Sequence, residues 1–219
     1  MMGEHKRSYL VIGLGRFGAS LAKTLFDLGH EVLVIDKDEE TIDHFSKHAT
    51  HAVIGDATDE DVLKSLGVRN FDIAVVALGG DLQASIMITV LLKEMGVKYI
   101  LAKAQSELHA KILVKVGADR AILPESEMGI RVAHSLAKTN ILDFIELSAD
   151  YSIIELSVPQ RWIGKILKDL DVRVKYGVNI LAIRGEKDFN ISPVADDVMR
   201  INDVLVIIGE NKDLNKIKM

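Results

Sequence analysis

The chain has 219 residues, 48% of them hydrophobic, with three prolines and no cysteine, enough for one large domain or two modest ones. Its formal net charge of −5 leaves no basic surplus to neutralise a phosphate backbone, so nucleic acid is excluded as the expected partner. The missing cysteines exclude disulfides, thiolate nucleophiles and cysteine-held zinc, and the longest apolar run, Ile86–Leu92, is far short of the ~18–20 residues that cross a bilayer. The opening MMGEHKRSY is polar and runs straight into a strand. A soluble protein without a secretory signal is therefore expected, any membrane association coming through a partner.

From Tyr9 to about Thr139, short β-rich runs alternate with helical stretches, which predicts a parallel sheet with crossover helices. The strand runs are Tyr9–Ile12, Glu31–Asp36, His51–Ile54, Ile73–Leu78, Tyr99–Lys103 and Ala121–Leu123. They lack polar alternation, as strands buried on both faces do. Helices are predicted near 16–28, 38–47, 59–67, 81–96, 107–116 and 125–140, making a Rossmann-type doubly wound α/β unit. Around Asp143 the rhythm changes. DFIELSADYSIIELSVP reads as two strands broken at Asp150, followed by a helix over Ile163–Asp169 and strand runs in VNILAIR, FNISP and DVLVIIG. These spacings predict a small, mostly antiparallel α/β lobe. The expected division is 1–140 and 141–219, with the helix at 125–140 as the hinge.

Gly13-Leu14-Gly15-Arg16-Phe17-Gly18 is a G-x-G-x-x-G string between the first strand and the first helix, the context in which it holds a nucleotide phosphate. Gly13 permits the turn, Gly15 admits the phosphate to the backbone, and Gly18 lets helix and strand pack; the helix N-terminus adds partial positive charge. Asp36, eighteen residues after Gly18, is placed to accept from ribose hydroxyls and to repel a 2′-phosphate. It does not separate NAD(H) from ATP, ADP or AMP. Arg16 is the residue where these ligands part, since a guanidinium matches a terminal phosphate bidentately. The competing reading is an arginine directed to solvent or capping a carboxylate.

Other candidates lie after later strands, where ligands bind in such sheets. Asp56 and Ala57 could face adenine, and Thr58 with Asp61 reads as a capping-box-like helix start. Ala77 and Gly79, in ALGG, allow close approach of a nucleotide or serve loop geometry alone. Lys103 reaches phosphates or is a solvated lysine. Glu125 complements a helix dipole or holds a divalent cation between phosphates.

Nothing here argues for catalysis. The second lobe contains no histidine, whereas a dehydrogenase needs an acid/base group near its nicotinamide. His44, His48 and His51 lack a fourth metal ligand nearby, and His109 and His134 fall on helices, where surface positions are expected. Binding without chemistry is the reading that remains.

The segments VIGLGRFG, VLVIDKDEE, HAVIGDATDE, LGVRNFDIAVVALG, QASIMITVLLKE, and KAQ followed by GADRAILPE together resemble the RCK-domain regulatory subunits of Ktr/Trk potassium-uptake systems, over nearly the whole chain. VRVKYGVNILAIR resembles the family's C-terminal lobe. The likeness is to KtrA-like members rather than the tandemly duplicated TrkA proteins. It implies a non-catalytic cytosolic subunit, assembled as a dimer up to an octameric ring and docked peripherally beneath a membrane potassium-translocating subunit. It further implies that Gly13–Gly18 (Phe17 included), Asp36, Asp56, Ala57 and Lys103 surround ATP or ADP. Arg16 would reach the γ-phosphate in a neighbouring subunit, and Glu125 would help hold a divalent cation such as Mg2+. In the C-terminal lobe the resemblance implies a cyclic di-AMP cleft of Arg173, Asn179, Ile180 and Pro193, with a plain dimerisation lobe as the alternative.

Overall fold

The computed structural model describes residues 6–136, 141–186 and 188–217. They divide into two compact units, Met1–Pro124 and Glu125–Met219. The expected lobe boundary after residue 140 falls beside 137–140, outside the described residues.

The first unit alternates strand and helix: β1 (Ser8–Ile12), α1 (Arg16–Asp27), β2 (Glu31–Asp36), α2 (Glu39–Phe45), β3 (His51–Ile54), α3 (Glu60–Ser65), β4 (Ile73–Val76), α4 (Leu82–Glu94), β5 (Ile100–Lys103), α5 (Glu107–Lys115) and β6 (Arg120–Ile122). The strands form one parallel sheet in the order β3-β2-β1-β4-β5-β6. The order reverses between β1 and β4, and the crevice at that point is where doubly wound sheets bind ligands.

The alternation of side chains along buried strands builds a core on each face. Leu10, Ile12, Leu33, Ile35, Ala74 and Val76 pack with Leu63 of α3, Ile88 and Leu92 of α4 and Leu113 of α5. Tyr9, Val11, Val32, Val34 and Val75 face the other way, against Ala22 of α1 and Ile42 of α2. The loops at the carboxyl ends of β1, β2 and β4 are therefore carried by deeply buried strands.

The second unit contains α6 (Pro124–Leu136, counting the residue before it), β7 (Ile141–Glu146), β8 (Tyr151–Ser157), α7 (Leu167–Leu170), α8 (Val172–Tyr176), β9 (Asn179–Arg184), β10 (Phe189–Asn190), β11 (Val204–Glu210) and α9 (Asn211–Ile217). Its strands are antiparallel in the order β10-β9-β11-β8-β7. β8 and β11 alternate buried and half-buried positions, so only one face of this sheet is sealed, over Ile154, Leu156, Trp162, Leu205 and Ile207.

The helix expected at Ile163–Asp169 is shorter and shifted. Gly164 takes a φ of +79° and Ile166 is extended and bridges Val198, so α7 begins only at Leu167. Neither α8 nor α9 is legible as a helix in the sequence. Both are short, and α9 is held in place by burying Leu214 and Ile217, two positions one helical turn apart.

Candidate functional site

The loop after β1 shows why its glycines stand where they do. Gly13 has a φ of +92° and Gly18, within α1, would put a Cβ 1.9 Å from the Gly13 carbonyl oxygen. Neither position accepts a side chain without displacing backbone. Gly15 differs: a Cβ there would meet nothing within 4 Å, so its surroundings are open toward the place a phosphate would occupy. Gly15 is also the N-cap of α1, contributing no side-chain cap, and the first turn carries no acid. The helix therefore presents uncapped N–H groups and its positive end to this opening.

Asp36, at the end of β2, is bound into the same loop. The Leu14 N–H donates to its Oδ2 at 2.7 Å and the Asp38 N–H to its Oδ1 at 3.1 Å. Two backbone donors fix the carboxylate while leaving lone pairs for ribose hydroxyls. A shallow, open cleft is lined by Gly13, Asp36, Asp56, Ala57 and Thr58 together with Leu78. The structure thus brings together residues from the loops that follow β1, β2, β3 and β4.

Asp56 accepts from the Thr58 N–H at 2.9 Å and the Thr58 hydroxyl at 2.6 Å, and Lys37 lies 3.6 Å from its Oδ2. The Thr58 hydroxyl, the Thr58 N–H and the Lys37 charge hold the Asp56 carboxyl below its usual range. Here a sequence expectation fails: the N-cap of α3 is Asp59, whose side chain accepts from the Asp61 N–H. Thr58 folds back on Asp56 instead because its hydroxyl lies two residues away, within reach of an Asx-type turn.

Lys103 is buried, which removes its reading as a solvated lysine. Its Nζ sits 6.0 Å from the Phe17 ring centroid, and a Cβ on Gly79 would lie 3.4 Å from that nitrogen. The loops after β1, β4 and β5 therefore meet at one cation, with Ala77 buried beneath them. Arg16 is exposed and has no hydrogen-bond or ion-pair partner among the described residues, so it caps no carboxylate among them. Glu125 is exposed in the first turn of α6.

In the second unit, Arg173, Asn179 and Ile180 line one cleft with Asp171 and Ala195. Pro193 is not part of that lining. Asp171 takes a φ of +43°, a left-handed conformation that Asp tolerates better than most residues. Sequence reasoning also misjudges His109, expected at the surface and in fact 1% exposed. Its i, i+4 relation to Leu113, also buried, is the available sign that it faces inward. The side chain of His134 lies outside the described residues. Among those described, no helix is long and apolar enough to cross a membrane.

Comparison with known proteins places these features. The TrkA-N domain model matches residues 9–124 and the TrkA-C domain model residues 152–219. The chain is 48% identical over 216 residues to Ktr system potassium uptake protein A of Bacillus subtilis (strain 168), covering 98% of this chain and 97% of that protein. It is 47% identical over 211 residues to protein C of the same system, with 96% of each covered. Among solved structures, the GsuK channel bound to NAD shares the fold, with a TM-score of 0.68 and 19% identity over 99% of this chain and 40% of that one. With both domains matched in order and nearly the full length aligned, the chain belongs to the RCK-domain family of Ktr potassium-uptake proteins.

Proposed function

We propose that this protein is a non-catalytic, nucleotide-sensing regulatory subunit of a potassium transporter, in which ATP and ADP bound at the β1–α1 loop favour different conformations of a ring of subunits. Its lobes, 1–140 and 141–219, divide the labour between nucleotide binding and a second ligand. The observation that carries the reading is Arg16: a permanent cation at the mouth of an open phosphate loop, with no partner among the described residues.

A ligand shifts a conformational equilibrium only by its differential affinity for the two states. ATP and ADP differ by the γ-phosphate alone, so the discriminating residue must touch that group. An arginine reaching a neighbour's nucleotide does so and ties ligand identity to subunit spacing. Glu125 supplies a hard oxygen for a Mg2+ ion at that junction, and Lys103 neutralises phosphate charge nearer the sheet. The Arg173, Asn179 and Ile180 cleft, together with Pro193, takes cyclic di-AMP. The protein acts at the cytoplasmic face of the membrane through its potassium-translocating partner.

A second reading has its own support. The fold neighbour described as bound to NAD and the Asp36 carboxylate suit NAD(H) equally well, and AMP shares the same adenosine contacts. Titrating the full-length protein with ATP, ADP and NADH separates the readings. A charge-assisted contact of about 1.5–3 kcal/mol makes Arg16→Ala lower ATP affinity about 10- to 150-fold with ADP affinity little changed. Undiminished ATP preference in that variant, or tightest binding of NADH by the unmodified protein, would sink the ATP/ADP switch.

A further inference from the structure

We infer that His109 is a positioning residue for the nucleotide cleft, locking the loops after β4 and β5 together from behind through a hydrogen-bond chain centred on the buried imidazole; the inference rests on the nucleotide reading above. The chain has four members. The Gln105 N–H points at His109 Nδ1 at 3.2 Å, His109 Nε2 lies 3.0 Å from Ser85 Oγ, and the Ser85 hydroxyl donates to the Leu82 carbonyl at 2.9 Å. Ser85 is fully buried and His109 is 1% exposed.

The donors and acceptors admit only one assignment. An amide N–H can only donate, so Nδ1 must be bare and the imidazole neutral. Nε2 then carries the hydrogen and gives it to Ser85 Oγ, whose own hydrogen is committed to Leu82. Protonating the ring would set a second N–H against that of Gln105. Burial opposes it as well, pushing the His109 pKa down.

What the chain joins gives it a role. Gln105 is two residues beyond Lys103, and the intervening Ala104 N–H is tied to the Ile122 carbonyl at 2.8 Å. Leu82 opens α4 immediately after Asp81, whose side chain caps it through the Ala84 N–H at 2.8 Å, and Gly79 lies just before. In front, Lys103 Nζ stands beside Gly79. Behind, His109 spans the first turns of the two helices that follow those residues. A displacement of either loop must break a hydrogen bond to the buried imidazole or its serine partner, so the ring sets the Lys103–Gly79 separation.

Amide side chains divide the ring into halves. In His109→Asn the amide oxygen stands where Nδ1 was and still accepts from Gln105; in His109→Gln the amide reaches Ser85 and leaves the Gln105 N–H unmet. Full-length protein is titrated with ATP, ADP and NADH, the melting temperature is measured without nucleotide, and the ring nitrogens are read by ¹⁵N NMR of labelled histidine. The expected result is a bare Nδ1 in the unmodified protein and affinity lowered about tenfold in both variants, each of which breaks one link of the chain, at similar nucleotide-free stability. A purely structural histidine would lower the melting temperature and leave the affinities unchanged. Affinity within about twofold of the unmodified protein in either variant, or a hydrogen on Nδ1, would overturn the inference while leaving the nucleotide reading intact. An unmodified protein that binds none of the three nucleotides would overturn both. If the histidine variants do not fold, Ser85→Ala, which frees the ring from its orienting acceptor, is expected to weaken binding several-fold, and unchanged affinity refutes the inference.

Discussion

Two glycines in one loop should respond in opposite ways to the same added methyl group. In Gly18→Ala the new Cβ would stand 1.9 Å from the Gly13 carbonyl oxygen, so the loop must retreat by about an ångström before ordinary contact is restored. Overpacking of this kind costs about 1–3 kcal/mol, and alanine in place of glycine within a helix returns about 1 kcal/mol. An approach this close to backbone belongs in the upper part of that range, about 2–3 kcal/mol, so the net loss of about 1–2 kcal/mol lowers the melting temperature by about 2–8 °C for a chain of this size. In Gly15→Ala the methyl meets nothing within 4 Å, and the backbone, at φ −61° and ψ 177°, is open to any residue. The only penalty is the poorer N-cap, about 0.5 kcal/mol, or a shift of about 1–2 °C. Binding should reverse the order. In Gly15→Ala the added Cβ would fill the opening where a phosphate meets the backbone N–H groups, and losing charge-assisted bonds of about 1.5–3 kcal/mol weakens nucleotide binding about 10- to 150-fold. Scanning calorimetry of the nucleotide-free variants and titration with ATP and ADP measure the two effects. Gly15→Ala binding within twofold of the unmodified protein would show that no phosphate approaches Gly15, and an unshifted melting temperature in Gly18→Ala would refute the close packing of α1 on the loop.

Further outcomes follow from other parts of the molecule. Asp72 accepts from the Ser8 N–H at 3.0 Å, the Lys98 ammonium at 2.9 Å and the Ser8 hydroxyl at 3.2 Å, which hold its pKa at about 2, below the ordinary 3.8. A carboxylate depressed on folding stabilises the protein above its unfolded pKa and ceases to do so as the pH falls through the folded value. The melting-temperature gap between the unmodified protein and Asp72→Asn should therefore shrink between about pH 4 and about pH 2; a gap constant with pH would contradict the pairing. Leu205 is fully buried in the second core, so Leu205→Ala should cost about 2–5 kcal/mol. The single tryptophan, Trp162, lies in that core, and its fluorescence should report a lower urea midpoint, an unchanged midpoint counting against the packing.

Much of the proposed nucleotide site is legible in the sequence because its chemistry is local. Gly13, Gly15 and Gly18 are spaced by the geometry of one turn entering one helix, and Asp36 ends the next strand. Strand positions in the first unit are likewise readable, since unbroken runs of Val, Ile and Ala mark strands covered on both faces. Where local signals compete, the reading fails. Thr58 and Asp59 are both capable caps, and only the path of the chain into α3 selects Asp59.

The sequence by itself determined the fold class, the order of the strands and helices in the first unit, the glycine loop and the family, because periodicity and motif spacing act over a few residues. The tertiary structure alone decided which loops meet. Lys103, Phe17 and Gly79 stand together because β4 and β5 are neighbours in the sheet and β1 lies on the other side of β4. It also decided that His109 is buried against Ser85 and Gln105, a pairing that reaches across twenty-four residues to Ser85. No local signal encodes such a contact, since it exists only once packing has expelled the water that would otherwise satisfy those groups.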